Sequence, residues 1–327
     1  GTKDIENLNA AEVYEVLNKN SNDTVSYWFK LQQAWCHNAY NTFKDYDSYL
    51  ILIYLVNEIF KKLSDRFQYL SYEEFYAKRE LLIDKINLIE ISKDLNIPKE
   101  TIRRKVNFLQ DQNIIFRKGK AIYFNRSIAD AQRPANSKKI MSVFLEKSGQ
   151  ILAKEDWFGR AFKREEIENF IDKYFTICWQ HWFRLQIPFL VRHRYFYGDL
   201  ETWNVWGAIG ISQFTDYYKQ VQNRVIEDPR SYADLYLHLL RHTPKNGINA
   251  SSISEISRIP RATVIRKLKT LLRQKLIMKN KKLEYMLLPS PKNIKSFEQN
   301  YMHNQKYKAN FVTTIFDLMK NSSFKVE

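Results

Sequence analysis

One stretch of this sequence occurs twice, and that repetition limits the folds open to the chain more than any other feature. Residues 91–123 read ISKDLNIPKETIRRKVNFLQDQNIIFRKGKAIY, and residues 253–285 read ISEISRIPRATVIRKLKTLLRQKLIMKNKKLEY. Aligned without a gap they are identical at 12 of 33 positions, too many for coincidence in so short a window. The identities include Ile97/Ile259, Pro98/Pro260, Thr101/Thr263, Arg104/Arg266, Lys105/Lys267, Leu109/Leu271, Gln112/Gln274 and Ile115/Ile277. Upstream, WFKLQ at Trp28–Gln32 recurs as WFRLQ at Trp182–Gln186, and Asp47-Ser48-Tyr49 faces Glu201-Thr202-Trp203. The offset is 154 residues there and 162 in the longer match, so a few residues were gained or lost in between. A tandem duplication predicts two related domains. The first spans 1–135, with its key unit at about 88–125. A connector at 136–150 joined to a short helix follows. The second spans 151–295, with its unit at about 250–288, and a C-terminal helical extension covers 296–327.

Each copy changes period along its length. Leu88, Ile91 and Leu95 have helical spacing. Asn96-Ile97 breaks the pattern, and Pro98 stands where a new helix tolerates proline. The next helix aligns Ile102, Val106 and Leu109 on one stripe and Lys99, Arg103, Arg104, Asn107 and Gln110 on the opposite face. After Asn113 come two strand-like runs, Ile114-Ile115-Phe116 and Ala121-Ile122-Tyr123-Phe124, with Arg117-Lys118-Gly119-Lys120 between them. The second copy repeats this with runs at Leu276–Lys279 and Leu283–Leu287 around Lys281-Lys282. Helix, turn, helix and basic-tipped hairpin make a winged helix-turn-helix. The fold expected is therefore mainly α with small β wings. Two tandem winged helix-turn-helix domains would pack through long aromatic-rich helices as a pseudo-dimer in one chain.

The pattern T-[IV]-x-R-K-[VL]-x-x-L-x-x-Q-x-[IL]-I, carried by Thr101–Ile115 and Thr263–Ile277, resembles the DNA-binding domains of bacterial MarR-type and GntR-type regulators. It covers about 35 residues in each copy. The glycine usual between recognition helix and wing is Asn113 in one copy and Lys275 in the other. The resemblance implies a recognition helix in the major groove and a wing on the backbone. It places Lys99, Thr101, Arg103, Arg104 and Asn107 at DNA, with wing residues Arg117, Lys118 and Lys120. Their counterparts are Arg261, Thr263, Ile265, Arg266 and Lys269, with wing residues Lys279, Lys281 and Lys282. Since Arg103 faces Ile265 and Asn107 faces Lys269, the expected operator has two unlike half-sites.

Charge supports this independently. Residues 91–127 hold nine Lys/Arg against three Asp/Glu, and residues 253–288 hold ten against two. Those segments carry +6 and +8 of a total of +16, in under a quarter of the chain. Such concentration points to double-stranded DNA as the polyanionic partner.

The remaining sequence is read mainly as scaffold. Asp23–Phe43 and Ile167–Tyr195 are expected as long helices, Tyr49–Ile59 as a buried helix, and residues 292–321 as two helices. Trp28, Trp35, Trp179, Trp182, Trp203 and Trp206 are expected in the core or between repeats. The helices leave room for a small-molecule effector in an aromatic pocket, which the sequence does not locate. No phosphate loop, nucleophile elbow or zincin motif occurs, so no enzyme activity and no cofactor are expected. His238 and His242 lack a third ligand, and Cys36 and Cys178 read as reduced thiols, so no metal is expected. Without a leader or a membrane-length apolar run, the expectation is a cytoplasmic protein without membrane contact, monomeric as a pseudo-dimer or a homodimer. A transcriptional regulator, with repression favoured, is the leading expectation. A plasmid-type replication initiator binding origin repeats and a winged-helix protein-interaction scaffold are the alternatives.

Overall fold

A computed structural model describes residues 9–126, 135–155, 161–223, 247–288 and 290–321. The described residues are mainly helical, with two small antiparallel sheets among them. The first half runs through α1 (Ala10–Lys19), α2 (Ser21–Phe43), α3 (Tyr46–Asp65) and α4 (Tyr72–Ala77). Strand β1 (Glu80–Asp84), α5 (Leu88–Leu95), α6 (Lys99–Asp111) and the hairpin β2 (Ile115–Lys118)–β3 (Ala121–Asn125) complete it. After α7 (Ala135–Lys154) and α8 (Arg164–Lys173), the second half repeats the order with α9 (Phe175–Tyr197), α10 (Leu200–Gln222), α11 (Ala250–Ser257) and α12 (Arg261–Arg273). The hairpin β4 (Ile277–Lys279)–β5 (Tyr285–Leu287) and the long α13 (Pro291–Lys320) follow.

The short helices begin and end where local chemistry dictates. Asn87 caps α5 by accepting from the N–H groups of Ile89 and Glu90, and Asn96 ends it in the left-handed region at φ 52°. Pro98 occupies the N-cap of α6, and Ile102, Val106 and Leu109 bury one stripe of that helix. The second copy matches: Asn249 caps α11, Arg258 ends it at φ 60°, Pro260 is the N-cap of α12, and Val264, Leu268 and Leu271 are buried.

The core is continuous through both halves. At its centre α2 meets α9, where Gln32 and Gln186, equivalent at the offset of 154, bond reciprocally. Each Nε2 donates to the other's Oε1, at 2.7 and 2.9 Å. Beside them the Trp28 and Trp182 rings lie 6.2 Å apart, edge to face. Of the six tryptophans read as packing residues, Trp206 is half-buried and the other five are buried. A contact between identical side chains at equivalent positions is what an approximate two-fold relation requires.

Four features differ from the sequence expectation. Segment 136–150, expected as a connector with a short helix, lies within the 20-residue α7, which buries Met141, Phe144, Leu145 and Leu152 against the core. The polar run Asn136–Lys139 obscures that period. The helix expected over Ile167–Tyr195 breaks at Tyr174, where Thr176 and Leu70 exchange hydrogen bonds. Instead of two helices over 292–321, one helix of 30 residues, Pro291–Lys320, starts on its proline. Its interior polar residues Asn304, Gln305 and Lys308 are buried, so they mark an inner face and not a break. Strand β1 was not expected. His238 and His242 lie outside the described residues.

Candidate nucleic-acid interface

The residues expected to meet DNA lie on α6, α12 and the two hairpins. Lys99, Arg103, Arg104, Asn107, Arg117, Lys118 and Lys120 are exposed, as are Arg261, Arg266, Lys269, Lys279, Lys281 and Lys282. Thr101 and Thr263 are half-buried at the first turns of their helices, and Ile265 is half-buried. The stripe that buries Ile102 and Val264 leaves the opposite face of each helix in water, since side chains three and four apart share a face.

Local pairs already occupy some of these groups. Arg103 pairs with Glu100 one turn away at 3.0 Å, both exposed, a contact worth little that phosphate could displace. Lys118 is drawn onto the sheet, where its Nζ lies 2.8 Å from Glu80 on β1 and within 6 Å of the Phe116 and Tyr123 rings. Arg266 donates to Thr263 at 3.3 Å, and Arg261 donates to Ser251 at 3.3 Å.

Helices α6 and α12 are both held at their inner side by an equivalent ion pair. Lys105 meets Asp45, at the N-cap of α3, at 2.5 Å. Lys267 meets Asp199, just before α10, at 2.7 Å. The hydroxyls of Ser48 and Thr202 complete the set by donating to the same aspartates at 2.6 and 2.7 Å. Burial opposes the charge on Asp199, but hydrogen bonds from Lys267 and Thr202 outweigh it and hold the carboxyl below its usual range. The turns after the helices also match: Asn113 and Lys275 both adopt φ 56°, and glycine is not used at either.

The halves brace each other. His37 Nε2 lies 2.9 Å from the carbonyl oxygen of Ile256 in α11, and Arg194 donates to that of Asn96 at the end of α5. Arg194 also grips both carboxylate oxygens of Asp47, at 2.9 and 3.1 Å, in a largely buried pair. Its equivalent cannot form in the second half. Glu201 stands for Asp47, but Tyr40 stands for Arg194. Burial, together with Asp199 and Asp47 nearby, pushes the Glu201 carboxyl up to about 7.

The hairpins diverge. β2 and β3 close through Gly119-Lys120, with Gly119 at φ 61°, and β1 adds a third strand by pairing Leu82 with Tyr123. β4 and β5 enclose a longer loop, residues 280–284, in which Asn280 Oδ1 accepts from the N–H groups of Lys282 and Glu284. In place of β1, Ile248 makes a lone bridge to Tyr285, and Gly247 lies so close that a Cβ would stand 2.4 Å from the Tyr285 oxygen.

No family model, curated protein or solved structure matches the chain. No described helix is long and apolar enough to cross a membrane. Among the described residues no three His, Cys, Asp or Glu are grouped to hold a metal.

Sequence reasoning missed the role of Lys105 and Lys267. Both appear among the repeat identities, yet their partners Asp45 and Asp199 lie outside the aligned window, at the other offset. Matching acidic residues at 154 with basic residues at 162 would have found the pairs.

Proposed function

We propose that this chain binds double-stranded DNA sequence-specifically through two tandem winged helix-turn-helix units, as a single-chain pseudo-dimer. It acts as a cytoplasmic transcriptional regulator on an operator with two unlike half-sites. The observation that carries this reading is the equivalent presentation of α6 and α12: same boundaries, same inner lysine–aspartate anchor, same outward arginine. Arg104 and Arg266 suit guanine edges or phosphate, and the hairpins suit the flanking backbone. Ile265 and Lys269, in place of Arg103 and Asn107, give the second helix a different reading surface. Concentration of +14 of the net +16 in the two units favours a polyanion over a protein partner.

The test is binding of the whole chain to random duplexes by anisotropy across a salt series, with recovery of the retained sequences. The expected result is tight binding at physiological salt, a bipartite asymmetric motif, and loss of both in Arg104→Ala/Arg266→Ala. Each arginine at a base edge is worth about 1–3 kcal/mol. Weak, motif-free binding that fades at physiological salt and ignores both mutations would replace this reading with a protein-interaction scaffold.

A further inference from the structure

Among α2, α9, α10 and α13 lies a cavity of about 140 Å³. Its walls are mainly aromatic, with Trp28, Phe189, Trp203 and Phe214 prominent, and Ile256 of α11 and Leu287 of β5 close another side. Two glycines open it. Gly207 and Gly210 stand where the first half has Ile53 and Val56. A Cβ added at Gly207 would meet nothing within 4 Å, and one at Gly210 would only touch Leu287 and Trp206, at 3.8 and 3.9 Å. In the first half, Ile53 and Val56 line the corresponding space, which is about 80 Å³.

One polar group on the wall has no counter-charge. Lys308 of α13 is 6% exposed, and its Nζ lies 4.2 Å from the centre of the Trp28 ring and 5.9 Å from that of Tyr301. No carboxylate pairs with it among the described residues. Burial holds its amine down to about 7. Four other polar side chains on the wall are committed elsewhere. Gln32 bonds Gln186, Asn304 accepts from Arg192, His193 Nδ1 lies 2.7 Å from the Phe189 carbonyl oxygen, and Asn204 donates to Tyr46 and Ser257. Burial keeps His193 neutral, down to about 4, with smaller contributions from Arg192 and Lys308 in the same direction. Trp206, also on the wall, has a buried indole N–H without an acceptor.

The cavity thus offers donors and flat apolar surface. A buried ammonium without a partner is costly, and a carboxylate supplies the missing charge. An engineered apolar cavity of roughly 150 Å³ takes up benzene, which sets the scale for the rest of the ligand. We propose that this cavity binds a small carboxylic acid whose apolar body is about one aromatic ring in size, with Lys308 as its counter-charge. An inorganic anion would leave the aromatic walls uncovered, and a neutral arene would leave the lysine unpaired.

The experiment titrates the full chain with benzoate, phenylacetate, their matched amides and inorganic phosphate. Tryptophan fluorescence and the shift in Tm are followed. The expected result is saturable binding of at least one acid, its amide binding at least about tenfold more weakly, and no response to phosphate. Lys308→Met keeps the apolar stem and removes the charge; it abolishes the preference for acid over amide. Gly210→Val imitates the first half, leaves Lys308 in place and abolishes binding of both, so a failure of Lys308→Met to fold does not remove the test. Absence of acid binding, equal binding of acids and amides, or unchanged acid affinity in either variant would overturn the assignment.

Discussion

The two halves agree where a helix must be aimed and disagree where something must be filled. Helices α6 and α12 each set a half-buried lysine on an aspartate at the start of α3 or α10, with a hydroxyl supporting the aspartate. Each is preceded by a left-handed residue and proline and followed by a left-handed residue at φ 56°. Beyond those devices the halves part. The first has a three-stranded sheet, a tight hairpin and α3 laid directly on α9; the second has a lone bridge, a looser hairpin and a cavity between α2 and α10. Geometry that orients an exposed helix is kept through duplication, while volume in the core drifts when a neighbour can compensate.

The largest expected effects probe the one place where equivalent acids have opposite circumstances. Asp47→Asn leaves the half-buried Arg194 without its bidentate carboxylate and should cost about 2 kcal/mol at pH 8, measured by urea denaturation. Glu201→Gln should have the opposite sign. An unfolded glutamate ionises from its ordinary 4.5, whereas Glu201 holds its proton up to about 7. Ionisation therefore costs the fold progressively as pH rises from about 4.5 to about 7, and fully above that. Gln should raise stability by about 3 kcal/mol at pH 8 and leave it nearly unchanged at pH 4. Equal signs for the two substitutions would dissolve the contrast between the halves.

An intermediate effect tests the contact the halves share. Gln32→Leu or Gln186→Leu alone strands a buried amide and should cost about 1–3 kcal/mol, whereas the double substitution should restore most of the loss. A double-mutant cycle by thermal denaturation measures the coupling. Additive losses would mean that the two amides do not depend on each other.

The smallest effect compares the turns into the two hairpins. Lys275→Gly relieves a left-handed lysine and should stabilise by about 0.5–1 kcal/mol. Asn113→Gly should gain less, because asparagine tolerates that backbone better than lysine does. A larger gain at Asn113 would show that the two turns are not under the same constraint.

Much of this arrangement was readable in the residues. The boundaries of α5 and α6 follow from the spacing of Leu88, Ile91 and Leu95, the break at Asn96-Ile97, Pro98 and one apolar stripe, and Pro260 with its own stripe recurs in the second copy. The hairpins follow from the change of period after Ile114 and Leu276. Strand β1 was missed although Glu80–Asp84 alternates outward and inward, because five residues between helices carry a weak signal and its pairing with β3 is distant in sequence. The extent of α13 was missed because buried Asn304, Gln305 and Lys308 imitate a solvated break. An aromatic pocket was expected among the helices but not located, because no residue lining this cavity is unusual alone. It becomes visible only when Gly207 and Gly210 are set against Ile53 and Val56.

The reciprocal Gln32–Gln186 bond joins two copies that share one backbone, and that has a consequence for how such a molecule can change. A pair of identical subunits separates on dilution and receives every mutation twice. Here the local concentration of one half around the other is fixed by the chain, so dilution does not part them. A substitution such as isoleucine to glycine falls on one side alone, so one copy can hollow out while its sister keeps the joint intact.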